Sequence, residues 1–401
     1  QLATRPGQVY NLRQARRDID AVYSMGIMED VNMLPQPAEE PGMVDLTLNV
    51  VERKTGGFSA GGGLSARGVM EGSLSGFIGS FAYTQKNLFG LNHKLAASLE
   101  AGQVDSTFRI ALTDPWVWKD NYRTSRTMYV TNTSSSGNAV HGGRPPLGGA
   151  GPHSVEAAAD GVKVQRLITG LDFCRPLSVG GWNGTMGFTW QKAGLQDAEG
   201  RAQTLDMYGN PLTFSGTPSD TTFTTLGRLV YNPASKDSQL VLSYEHALPL
   251  KPDWLNFGRL QVRAERTVGL GPARLSLYGK GGAIVGDLPP YEAFPIGGTN
   301  SVRGYDEGAV GSGRNYVVAS GEINVPLVSP LEGALFVDYG TDLDSGSSVL
   351  GNPAGERGKP GNGLGYGAGV RLDSPVGPIR LEYAFNDKNA RRFHFGIGKG
   401  F

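Results

Sequence analysis

Strand-length segments separated by turn residues fill most of this chain and limit what it can fold into. Between Phe58 and Phe401 there are about sixteen of them. They lie at residues 58–67, 75–84, 93–103, 106–113, 123–132, 161–174, 182–192, 221–232, 237–247, 258–268, 271–283, 315–327, 332–340, 363–372, 377–386 and 392–401. Open sheets of this size rarely persist without closing or splitting. The pattern therefore predicts an all-β fold, a sixteen-stranded antiparallel β-barrel.

Apolar and polar residues alternate along these segments, so each strand has one apolar and one polar face. In the final segment Phe393, Phe395 and Ile397 alternate with His394 and Gly396. Alternation does not say which face points inward, so a soluble β-sandwich and a membrane barrel both fit. Glycines mixed with charges on the polar faces, and aromatic residues near the segment ends, favour the transmembrane barrel.

Residues 1–55 have a different pattern from the rest of the chain. Apolar residues at helical spacing within Asn11–Met25 predict a helix, followed by strands near Val31–Leu34 and Val44–Val51. Alternation in the second strand predicts one buried face. A helix and two strands make a small core, so we interpret residues 1–55 as part of a larger α+β domain and residues 56–401 as the barrel.

Composition excludes several classes of function. The 37 basic and 37 acidic side chains cancel, which gives no electrostatic support for a nucleic-acid partner. Cys174 is the single cysteine, and the five histidines do not cluster in the sequence. Nucleophile elbows and phosphate-binding loops are absent from the sequence. We therefore expect no enzyme activity, no cofactor and no metal. The barrel pattern predicts a lipid bilayer as one partner.

A glycine-rich stretch inside the long loop 284–314 reads Gly297-Gly298-Thr299-Asn300-Ser301-Val302-Arg303-Gly304-Tyr305. It resembles the Val-Arg-Gly-Phe/Tyr loop signature of the BamA-type outer-membrane assembly and translocation superfamily, whose members join POTRA domains to a sixteen-stranded barrel. Further resemblances to this family occur at residues 9–54 (the second half of a POTRA domain), Lys86–Gly90, Thr113–Trp116, Phe336–Gly340 and Phe393–Phe401. Gly308–Arg314 and Gly377–Ala384 look most like its plastid outer-envelope members.

The resemblance implies roles for single residues. In the family the loop arginine folds back into the barrel lumen and pairs with acids on neighbouring strands, which implies Arg303 with Glu322 and Asp338, flanked by the motif residues Val302, Gly304 and Tyr305. The alternation independently puts Glu322 and Asp338 on the polar face. A purely structural role for Arg303 is the alternative.

The first and last strands would have to pair to close the barrel. Glycines occupy this seam at Gly61, Gly62, Gly63, Gly396, Gly398 and Gly400, next to the terminal Phe401. Glycine adds no side-chain packing, so the seam would be weak and able to offer a strand edge to another polypeptide. Bending and tapering of the sheet is the alternative reason for these glycines.

The resemblance implies a channel that translocates precursor polypeptides across the plastid (chloroplast) outer envelope, together with receptor and translocon subunits. The related alternative is an insertase that assembles β-barrel proteins into the same membrane, and the residues do not separate the two. A passive porin and a soluble all-β binding protein are further alternatives. A Gram-negative-type bacterial outer membrane is the alternative location.

Overall fold

The computed structural model describes residues 2–64, 77–102, 105–117, 120, 122–142, 161–177, 180–197, 199–235, 237–372 and 379–397. In these residues one antiparallel sheet contains sixteen strands, each paired with its neighbours in chain order. The prediction of an all-β, sixteen-stranded antiparallel fold is confirmed. None of the helices in this described part of the chain has the length and hydrophobicity to span a membrane.

The bounds of the elements are as follows. The sheet strands are β3 Gly56–Leu64, β4 Phe77–Leu88, β5 His93–Gly102, β6 Ser106–Asp114, β7 Ser125–Ser136, β8 Lys163–Pro176, β9 Trp182–Gln196, β10 Ser219–Tyr231, β11 Ser238–Ala247, β12 Phe257–Leu270, β13 Ala273–Gly286, β16 Asn315–Val328, β17 Leu331–Thr341, β18 Asn362–Leu372, β19 Ile379–Asn386 and β20 Arg391–Ile397. The other elements are helix α1 Leu12–Tyr23, strands β1 Met28–Pro37 and β2 Val44–Glu52, the short helices α2 Asn138–His141 and α3 Pro353–Glu356, the hairpin strands β14 Phe294–Ile296 and β15 Gly311–Gly313, and the 3-10 turns Pro290–Glu292 and Gly346–Ser348.

Successive connections lie at opposite ends of the sheet because neighbouring strands are antiparallel. Four long connections start from one end of the sheet; they join β7 to β8, β9 to β10, β13 to β16 and β17 to β18. Short ones lie at the other end, such as residues 271–272 and 329–330. This asymmetry is typical of outer-membrane barrels.

The two faces of the sheet differ in polarity, as β16 shows. Its buried positions are Tyr316, Val318, Ser320, Glu322 and Asn324, and its exposed positions include Val317, Ala319, Ile323 and Val325. The charged residues therefore lie on the face covered by the long connection 287–314, which we call the inner face. Large apolar residues cover the outer face. This distribution of apolar and charged residues is typical of a lipid-facing barrel and not of a sheet in water.

Residues 2–55 form a small unit of one helix and two antiparallel strands. The side chain of Asn11 caps α1 by accepting a hydrogen bond from the N–H of Arg13 at 3.0 Å. Helix α1 contacts β1. The sequence predicted a buried face on β2, but Val44 and Val50 are exposed, because α1 packs against β1. The assignment of this unit to a POTRA domain stays a prediction.

The seam residues lie at the two ends of the strand order. Gly61, Gly62 and Gly63 are in β3, which pairs with β4, and Gly396 is in β20, which pairs with β19. Gly398, Gly400 and Phe401 lie outside the described residues. Among the pairings of the described residues there is none between β3 and β20, so closure of the barrel at this seam stays a prediction.

The polarity of the outer face can be tested with two exposed leucines. Leu335, 60% exposed, lies on the outer face of β17, and Leu343, 54% exposed, lies in the loop that follows. We expect Leu335→Arg to lower the free energy of unfolding from lipid vesicles by about 2–4 kcal/mol, because an arginine on a lipid face loses its hydration. The measurement is urea unfolding of the vesicle-inserted protein.

Leu343→Arg is the matched control, with an expected change within about 0.5 kcal/mol because a loop side chain stays in water. Equal changes for the two variants would contradict the lipid-facing assignment of this surface.

Candidate functional site

The connection between β13 and β16 (residues 287–314, the inner loop) folds against the inner face as a packed unit. Its hairpin strands β14 and β15 pair with each other, and its apolar side chains pack against the ends of the flanking strands. The rings of Phe294 and Tyr316 lie 4.5 Å apart between centroids. Ile296, Val302 and Val310 are completely buried in the same cluster. The loop therefore holds a defined position.

Arg303, near the tip of the inner loop, is 0% exposed and contacts three carboxylates. Its Nε and Nη2 donate to the two oxygens of Asp338 at 2.7 and 2.8 Å, a bidentate pair. Its Nη1 donates to Glu322 Oε2 and to Glu382 Oε1, each at 2.9 Å. The three carboxylates lie on strands β16, β17 and β19. We call them, together with Arg303, the first contact site.

Neighbouring side chains complete the first contact site. Ser320 Oγ donates to Asp338 Oδ1 at 2.7 Å, and the guanidinium carbon of Arg303 lies 3.5 Å from the centroid of the Phe336 ring. Arg371 pairs with Glu322, and Arg380 Nη1 lies 4.0 Å from Glu382 Oε1. The three carboxylates thus face three guanidinium groups, so the buried charges balance.

The electrostatics favour a permanently charged Arg303. Burial alone would lower the pKa of its guanidinium. The hydrogen bonds that Arg303 donates to Asp338 and the negative charges of Asp338, Glu382 and Glu322 outweigh burial and raise the pKa of Arg303 above its usual value. Arg303 therefore keeps its positive charge in this contact.

Gly304 lies where a side chain would not fit. Its φ is +92°, and a Cβ there would lie 2.6 Å from the carbonyl oxygen of Phe385. Its N–H donates to His394 Nε2 at 2.9 Å, and its carbonyl accepts a hydrogen bond from Asn386 Nδ2 at 2.9 Å. The backbone of the loop tip is therefore bonded to β19 and β20.

The remaining motif residues pack against glycines of the sheet. A Cβ on Gly340 would lie 2.6 Å from Val302, and one on Gly363 would lie 2.9 Å from the Tyr305 ring. The Tyr305 hydroxyl donates to Asp387. A Cβ on Gly365 would overlap the carbonyl oxygen of Arg303. Glycines on β17 and β18 thus give the loop tip the room it needs.

The structure brings together Arg303, Glu322 and Asp338, which the sequence had singled out. Glu382, Ser320, Phe336 and His394 were not named as site residues. The alternation in the sequence places Glu382 on the polar face of its strand. This pattern does not distinguish Glu382 from the other acids on polar faces. The described seam glycines take no part in the contacts of Arg303, although Gly396 lies beside Arg380.

Comparison with known proteins identifies relatives of the whole chain. A family model described as the Omp85 superfamily domain matches residues 87–401. Outer envelope protein 80, chloroplastic, of Arabidopsis thaliana is 51% identical over 400 residues, covering 99% of this chain and 53% of the relative. Protein TOC75-3, chloroplastic, of the same species is 29% identical over 434 residues, covering 98% of this chain and 51% of the relative.

Among solved structures, BamA from Haemophilus ducreyi lacking POTRA domains 1-3 matches with a TM-score of 0.74 and 16% identity, over 99% of this chain and 79% of that one. This match shows the fold. The chain spans about half the length of the two curated relatives. The predicted family resemblance and the predicted plastid outer-envelope location are confirmed by these relatives.

The first contact site can be tested by reversing its charges. We expect Arg303→Glu to lower the free energy of unfolding by about 3–5 kcal/mol, because it leaves buried carboxylates without their cation. Adding Asp338→Arg should restore part of the loss. Urea unfolding in vesicles measures the effect.

Arg201→Glu is the control, since the Arg201 side chain is 76% exposed in a surface ion pair and such pairs contribute about 0–1 kcal/mol. An Arg303→Glu protein as stable as this control would refute the contribution of the first contact site.

Proposed function

Because this chain belongs to the Omp85 superfamily, we propose that it is the membrane-embedded part of a protein that assembles β-barrel proteins into the plastid outer envelope. The observation that carries this proposal is the inner loop, which the first contact site holds against the inner face. In this proposal Arg303 is the anchor that keeps the loop there, and Glu322, Asp338 and Glu382 are its acceptors.

The long connections also pack over one another at their end of the sheet. Arg357, 1% exposed, pairs with Asp206 at 3.0 Å and joins the connections 342–361 and 197–218. Lys359 Nζ donates to the carbonyl of Val140 and to Ser312 Oγ, both at 2.8 Å, which adds the connection after β7 and the inner loop. The connection 342–361 therefore contacts each of the other three long connections through polar groups.

A polypeptide moving straight along the inner face would have to break these contacts, and each separated buried ion pair costs several kcal/mol. In this proposal the two ends of the sheet are the site of strand insertion instead. In the described residues β3 pairs only with β4 and β20 only with β19. An edge of this kind binds another strand through backbone hydrogen bonds, independently of the client's sequence. Insertion of new β-strands at the edge therefore fits better than passage through the interior.

The import channel predicted from the sequence is the second candidate. It is favoured by the similarity to protein TOC75-3 and by the charged inner face, which would suit a hydrated path if the inner loop moved away. In both cases the proposed partners are unfolded polypeptides, the lipid bilayer and further complex subunits. The unit at residues 2–55 is the proposed contact for clients or subunits.

Depletion of the full-length protein in plants separates the two candidates. Envelopes would be isolated during depletion and supplied with a labelled β-barrel envelope protein and a labelled stromal precursor. We expect barrel insertion to fall first, because precursor import would decline only as its own barrel components are lost. Re-expression of the wild-type protein is the control. Early loss of precursor import with normal barrel insertion would contradict the assembly proposal and favour the channel.

A further inference from the structure

A second group of charged side chains, partly buried, lies near the start of the inner loop. Glu292, in the 3-10 turn after β13, has a side chain that is 14% exposed. Its Oε2 accepts from Arg259 Nη2 at 2.5 Å, its Oε1 lies 3.6 Å from Arg166 Nη2, and Gln191 donates to it at 3.2 Å. Burial alone would raise the pKa of Glu292, but Arg259 and Arg166 hold it below its usual value. The carboxylate is thus kept ionised by two strand arginines.

The residue before Glu292 reinforces the same contact. The Tyr291 hydroxyl donates to Asp220 Oδ2 at 2.9 Å, and Arg166 Nη2 donates to the carbonyl oxygen of Tyr291 at 3.1 Å. Tyr291 is buried, with 7% of its surface exposed. We call Tyr291 and Glu292, with Arg166, Asp220 and Arg259, the second contact site.

The two contact sites have opposite polarity and lie on different strands. At the first, a loop arginine binds acids of β16, β17 and β19. At the second, a loop acid binds arginines of β8 and β12. The β14–β15 hairpin and its buried side chains connect the two along the loop. Glu245 of β11 also lies 3.4 Å from Arg259, so the second site already holds one acid besides Glu292. Exchanging the sites would separate Glu292 from its two arginines and Arg303 from its three carboxylates, which is unfavourable.

We propose that Glu292 is a second, independent anchor of the inner loop, and that the opposite charges of the two contact sites fix the orientation in which the loop binds the sheet. The loop then links the middle strands β8 and β12 to strands β16, β17 and β19. Either end can be released while the other stays bound, because each has its own partners. Glu292 is a positioning residue in this scheme, and the proposal holds whichever polypeptide the protein handles.

The test measures loop position directly by spin-label distance measurements on the full-length protein in lipid nanodiscs. Cys174 is replaced by serine, and one label pair, at Pro295 and Leu229, reports the hairpin against β10. A second pair, at Asn300 and Tyr339, reports the loop tip against β17. All four labelled residues are exposed or on the outer face, and the hairpin residue Pro295 lies between the two sites.

We expect Glu292→Gln to widen the hairpin distance distribution about twofold, since a neutral amide no longer pairs with two arginines, while the tip distribution stays as in the wild type. Arg303→Gln should widen the tip distribution and leave the hairpin distribution as in the wild type. Glu199→Gln, which removes an exposed carboxylate from a surface ion pair, is the matched control and should change neither. An unchanged hairpin distribution, or equal widening of both, overturns the proposal.

A gel assay that separates folded from unfolded barrels checks each variant before labelling. If Glu292→Gln does not fold, Arg259→Lys takes its place, because lysine keeps the charge but loses the planar fork of donors. This variant should widen the hairpin distribution alone and by a smaller factor. A wild-type distribution for Arg259→Lys would then overturn the proposal.

Discussion

A buried guanidinium surrounded by carboxylates joins the inner loop to the last strands of the sheet. Desolvating one charge is costly, and pairing it with acceptors of the right geometry offsets most of that cost. Arg303 meets this requirement with a bidentate contact to Asp338 and single contacts to Glu322 and Glu382. Those acids come from three strands, so the loop tip and the last part of the sheet form one unit.

The surrounding glycines follow from the same interaction. The loop backbone must approach β17, β18 and β19 closely enough for the guanidinium to reach all three acids. Gly304 supplies the positive φ, and Gly365 and Gly340 supply space on the sheet for the Arg303 backbone and for Val302. The role of each of these glycines is therefore to let a particular atom of the loop approach the sheet.

Alternation with period two was enough to predict the number of strands, their approximate bounds and the polar faces that carry Glu322 and Asp338. It could not predict Glu382 as a third acceptor, because that depends on which strands lie within reach of the loop tip. Nor could it predict the pairing of Glu292 with Arg166, residues 126 positions apart. Such contacts depend on the path of a long loop across the sheet, which no local pattern encodes.

The central claim is that the inner loop is held against the inner face by opposite charges. A side-chain-resolution structure of the full-length protein in a lipid nanodisc tests it most directly. We expect density for the Arg303 side chain continuous with the carboxylates of Asp338, Glu322 and Glu382, beneath an ordered loop. A loop that lies outside the sheet, with these three acids facing open solvent, would contradict it.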